Sequence, residues 1–178
     1  LIVFLVWFFF FIYLDIFKNI KFSFLFANLL LAALTIPMVI LLYDSWYFSN
    51  IKEYEPGLWK DNLITGIFEE GVKFIFPFII ALFFVHRLKS PFAVLFLFTS
   101  SALVFATFEN MIYIGQRFDL GIVSIRGIYA ITIHICASTL CGYGIVLYLF
   151  KKPLFFKAVL YFLAGVMLHG IYDLVLST

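Results

Sequence analysis

The sequence predicts an all-α, polytopic transmembrane helical bundle of about six spans, on three observations. Of 178 residues, 65% are hydrophobic and 12% charged; a soluble domain carries about half and about a quarter. The mean hydropathy is +1.13. The apolar residues also fall in runs near the length that crosses a hydrocarbon core, about 20 residues. Such runs are too long and too evenly apolar for barrel strands, and a helix satisfies its own backbone polar groups in lipid.

Charged residues punctuate the runs and set the elements in order. The spans read as about 1–14, 22–43, 63–85, 92–114, 127–150 and 158–176. The first begins at Leu1, with no basic start and no small-residue cleavage site. It reads as the remainder of a longer span rather than a signal peptide. The second carries no charge. The third holds Glu69, Glu70, Lys73 and Pro77; the fourth holds Glu109. The fifth follows Arg126 and holds His134, Cys136 and Cys141; the sixth holds His169 and Asp173. Short loops predict antiparallel neighbours. No repeat or second domain is visible, so residues 1–178 read as one transmembrane domain. Its polar core lies at about 63–177, with the spans in 1–43 peripheral. The longest loop, 44–62, mixes charges with Trp46, Tyr47, Phe48, Tyr54 and Trp59, which suits an interfacial anchor or a lid over a site.

The net charge of +2 is spread through short loops, so no basic patch points to nucleic acid. The odd-numbered loops carry Lys18, Lys21, Arg87, Lys89, Lys151, Lys152 and Lys157. The even-numbered ones carry Lys52, Lys60, Arg117 and Arg126, together with Asp44, Glu53, Glu55, Asp61 and Asp119. That bias makes the first side cytoplasmic. Cys136 and Cys141 sit five apart on one span, which favours neither a disulfide nor a metal pair; they read as small buried thiols. His86, in the loop sequence HRLKSP, reads as solvated.

The ionisable residues inside the spans carry the functional reading. A charge near the bilayer centre costs about 2.5–3.5 kcal/mol, so each needs a partner or a purpose. Lys73 stands three residues from Glu70 and four from Glu69, so the three project to one helix face. Gly66 and Pro77 share that face. Asp173 is four from His169, with Gly165 one turn earlier. His134 lies on a stripe of small residues that includes Ser138, and Glu109 shares a face with Tyr113. Glu70, Glu109, His134 and His169 all fall roughly 8–11 Å below the even-loop surface at 1.5 Å per residue. Unrelated polar residues would scatter over both leaflets.

Two imidazoles and a carboxylate form a common catalytic zinc set with a position open to water. A further carboxylate beside that position acts as general base. Asp173 reads either as the carboxylate that orients a metal-bound His169 or as a ligand itself. Arg126 reads as an interfacial anchor or a group of the site, and Glu109 as a ligand or a hydrogen-bond partner of Tyr113. The same residues would also suit a transporter or proton relay. Against that, the opposite halves of these helices are almost wholly Phe, Leu, Ile and Val.

Four sequence motifs resemble those of the PrsW family of intramembrane proteases. Residues 69–73, EEGVK, are similar to EExxK; residues 108–113, FENMIY, to FExxxY; His134 stands alone on the next span; residues 169–173, HGIYD, resemble HxxxD. They occur in order, one per helix, and cover about 63–173. The resemblance implies a bacterial plasma-membrane protease that cuts a membrane-anchored protein, such as an anti-sigma factor, near its extracytoplasmic side. It implies that Glu109, His134 and His169 hold a divalent metal, zinc by preference, while Glu69 or Glu70 activates water and Lys73 holds the pair. Asp173, Tyr113 and Arg126 would support them. The CAAX prenyl protease family has similar paired glutamates and helix-borne histidines, but its first motif ends in Arg one place later and its last in Asn. Lys73 and Asp173 favour PrsW. A metal-free glutamate protease on the same residues is a further alternative.

Overall fold

A computed structural model describes residues 2–13, 20–42, 59–88, 90–116, 120–151 and 154–177, and every regular element among them is helical. The helices are α1 (Ile2–Tyr13), α2 (Phe22–Ala33), α3 (Thr35–Val39), α4 (Trp59–Leu88), α5 (Pro91–Gln116), α6 (Leu120–Phe150) and α7 (Phe155–Ser177). Four segments are long and apolar enough to cross a membrane: Phe22–Leu42, Pro91–Gly115, Arg126–Phe150 and Phe155–Leu176. The first joins α2 and α3 through a turn at Leu34, where Thr35 Oγ1 donates to Ala32 O at 2.5 Å. α1 has 12 residues, short of a full span. α4 has 30 residues with a kink at Phe84, where the backbone is non-helical, and Glu69, Glu70 and Lys73 interrupt its apolar run. Most of loop 44–62, with its anchor or lid reading, lies outside the described residues.

α4 is the central helix, packed against α5, α6 and α7, while α2 lies on α5. Small residues set the closest approaches. A Cβ on Gly66 would stand 2.9 Å from Val166 O of α7, and one on Gly165 would stand 2.6 Å from Ala137 O of α6. Both glycines bring backbone against backbone on the helices that carry Glu70, His134 and His169. Below these crossings the core is aromatic. Phe74 meets Phe78, Phe98 and Phe162 with ring centroids 5.0, 5.4 and 5.3 Å away.

Two polar ties cross this core. Pro77 has no N–H, so the helix leaves the carbonyl of Lys73 without its usual partner four residues on. Ser101 of α5 supplies the missing donor: its Oγ donates to Lys73 O at 3.3 Å. On the other side of α5, Asn28 of α2 donates from Nδ2 to Leu97 O at 2.9 Å and to Ser100 Oγ at 3.0 Å. The sequence reading gave the second span no polar role. The outer faces are apolar, with Phe155 and Phe156 at 70% and 69% exposure, as lipid-facing surfaces require. Cys141 is buried, but Cys136 is exposed, which corrects the expectation of two buried thiols: five positions on a helix turn a residue well off its predecessor's face.

Candidate active site

Four helices bring their polar residues to one place. α4 supplies Glu69, Glu70 and Lys73, α5 supplies Glu109, α6 supplies Arg126, His134 and Ser138, and α7 supplies His169 and Asp173. The His134 and His169 rings meet edge to face, centroids 4.6 Å apart. Phe105 closes one side, 5.4 Å from the His134 ring and 4.6 Å from Lys73 Nζ.

The adjacent glutamates have different surroundings. Glu70 is sealed, with a side-chain exposure of 0%. Its Oε1 pairs with Lys73 Nζ and accepts from His169 Nδ1 at 2.9 Å; its Oε2 accepts from Ser138 Oγ at 2.8 Å. In the tautomer with the ring proton on Nδ1, toward the Glu70 carboxylate, the His169 Nε2 lone pair faces inward. That nitrogen is 3.5 Å from Glu69 Oε2 and 3.3 Å from Asp173 Oδ2. Asp173 therefore sits on the inward nitrogen of His169, and Glu70 takes the orienting position at Nδ1 that the i,i+4 spacing suggested for Asp173. Glu69 keeps an outlook on the site: its Oε2 is buried and makes no hydrogen bond.

His134 is held at both nitrogens. Lys73 Nζ lies 2.7 Å from Nδ1, and Glu109 Oε2 lies 2.8 Å from Nε2. Arg126 reaches Glu109 Oε1 with Nη2 at 2.8 Å and Asn110 Oδ1 with Nε at 3.1 Å, and its guanidinium lies 3.7 Å over the Tyr113 ring. Arg126 thus belongs to the polar cluster. α6 starts at Leu120, so this charge lies in its second turn rather than at a helix end. Tyr113 supports Arg126 through its ring face.

Glu69, His134 and His169 each offer a donor atom, and the three atoms lie within 4.8 Å of one another. The orphaned Glu69 Oε2 and the inward His169 Nε2 are what a cation would engage, so this donor set fits a divalent metal. The sequence reading placed Glu109 in that set. In the structure Glu109 Oε2 lies 2.8 Å from His134 Nε2 and its Oε1 pairs with Arg126, while Glu69 is the carboxylate grouped with the two histidines within 4.8 Å.

Comparison with known proteins follows the same residues. The family model described as PrsW family intramembrane metalloprotease matches residues 21–178. The chain belongs to this family. PrsW membership covers α2 through α7, including every polar residue of the cluster. "Protease PrsW" of Clostridioides difficile (strain 630) is 30% identical over 160 residues, 83% of this chain. The match spans 64% of that relative's length. No solved structure matches the chain.

Ser138 is the group that sequence reading placed on a packing stripe without a chemical role. The signal was present: it stands four residues after His134, so both face the same way.

Proposed function

We propose that this chain is an intramembrane peptidase that hydrolyses a peptide bond of a membrane-anchored protein of the anti-sigma-factor kind, with zinc as its metal. The observation that carries the reading is the convergence of Glu69, His134 and His169 donor atoms within 4.8 Å, from three different helices. These three would hold the ion. When bound, zinc acts as a Lewis acid toward the scissile carbonyl and makes water nucleophilic at neutral pH.

The chain's own groups do the rest. Glu109 stands beside the donor set, its side chain 19% exposed, and takes the proton from the attacking water. Arg126 holds its other oxygen and keeps the carboxylate turned inward. Glu70, fixed by Lys73 and Ser138, keeps the His169 ring oriented through Nδ1. Asp173 stands by as a fourth donor, through a carboxylate oxygen, on the same side. The test is cleavage of a membrane-anchored reporter by purified chain, with metal content measured alongside. Chelation is expected to abolish cleavage and zinc to restore it. Full activity after complete metal removal would overturn the assignment.

The contact between Lys73 and His134 favours a second reading, a metal-free glutamate peptidase. An ammonium donating to Nδ1 leaves the His134 ring proton on Nε2, aimed at Glu109. In that form Nε2 is a donor to an oxyanion rather than a ligand, and chelation would leave activity intact.

The depth of the cluster supports placing the cut near one membrane boundary, on the non-cytoplasmic side by the Lys and Arg bias. A substrate helix hides its carbonyls in its own hydrogen bonds and must unwind where freed groups meet water. Mass spectrometry of the released fragment is expected to put the cut within a few residues of the substrate's outer boundary. A cut at the cytoplasmic boundary would reverse the orientation.

A further inference from the structure

Two cavities adjoin one another along α6 and α7, at the end away from the Glu/His cluster. Lys151 follows α6 and Lys157 lies in the first turn of α7. They border a cavity of about 290 Å³, which Leu147 also lines. A second cavity of about 520 Å³ shares both Leu147 and Lys157 and continues past Leu160 to Tyr143 and Ala164. The two form one groove, basic at its mouth and apolar along its length. Nearby, α6 and α7 cross closely at Gly144, where an added Cβ would stand 3.0 Å from Ala158 Cα of α7.

The charge at the mouth is uncompensated. Both lysines are exposed, and neither has an acidic partner among the described residues. The sequence holds no Asp or Glu between Asp119 and Asp173, so this hairpin contributes no negative charge. The groove runs along two membrane-spanning segments, so its length suits an acyl chain and its lysines suit an anionic group attached to that chain.

We propose that the α6–α7 groove binds an anionic phospholipid, its phosphate between Lys151 and Lys157 and one acyl chain against Leu147, Leu160, Tyr143 and Ala164. His134 is 17 residues from Lys151 along α6, about 25 Å of helix, so the site is separate from the Glu/His cluster and does not depend on the peptidase reading. A single lysine near a membrane surface is worth about fivefold in affinity for anionic lipid, and two converging on one headgroup more.

The test uses the purified chain in phosphatidylcholine vesicles doped with a phosphatidylglycerol or a phosphatidylcholine that bears an acyl-chain diazirine. After photolysis, labelled peptides are mapped by mass spectrometry. The phosphatidylglycerol probe is expected to label the segments 143–147 and 160–164 at least fivefold more than the phosphatidylcholine probe. In the double variant Lys151→Gln/Lys157→Gln that preference is expected to vanish, while labelling of the outer face of α2 stays unchanged. Equal labelling of the groove by both probes would overturn the proposal. So would a preference that survives in the double variant. Because both lysines are exposed, the variant tests headgroup recognition without disturbing the core.

Discussion

Glu109→Gln is expected to lower cleavage by about 10²–10⁴-fold while the bound metal stays in place, because glutamine is nearly isosteric and cannot accept the proton. Glu69→Gln is expected to lose activity by another route, through loss of the metal, since it removes a carboxylate whose donor atom lies within 4.8 Å of those of both histidines. The pair is read together by elemental analysis and by turnover of a membrane-anchored reporter. Metal lost from Glu109→Gln and retained in Glu69→Gln would exchange the two roles. Glu70→Gln belongs in the same series. Glu70 faces Lys73, Ser138 and His169 and has no side open to water, so its replacement is expected to act through the His169 ring.

Lys73→Met is expected to give the largest loss of stability in the chain. It leaves the sealed Glu70 carboxylate without its cation, and breaking a buried ion pair from one side costs about 3–5 kcal/mol. The double variant Lys73→Met/Glu70→Gln is expected to recover much of that loss, since no unpaired charge remains. Thermal unfolding in detergent, followed by circular dichroism, compares the two. A single variant as stable as the parent would mean that the pair contributes nothing to the fold.

Much of this arrangement was legible in the sequence, and the residues show why. The span pattern follows from the demand that lipid places on backbone groups, which local composition answers on its own. The common depth of Glu70, Glu109, His134 and His169 could be counted from the charged punctuation. Helix spacing put Glu70 with Lys73 and His169 with Asp173, and both pairs are in contact. The roles of the adjacent glutamates were not legible. Neighbours on a helix point about 100° apart, and what each one meets depends on other helices. Glu70 is sealed by Ser138, 68 positions away, and by His169, 99 positions away. The partner of Arg126 was hidden for the same reason, because its helix begins earlier than the charge suggested.

The hydroxyl that Ser101 lends to the carbonyl of Lys73 fixes the register between two helices. α5 carries both Ser101 and Glu109, so the one hydrogen bond ties the depth of Lys73 to that of Glu109, eight residues along the same helix. Sliding α4 past α5 by a single turn would strand a carbonyl in hydrocarbon, at a cost of several kcal/mol. On the peptidase reading proposed above, α4 and α5 then act as one block when a substrate enters, and the helices that move are the others.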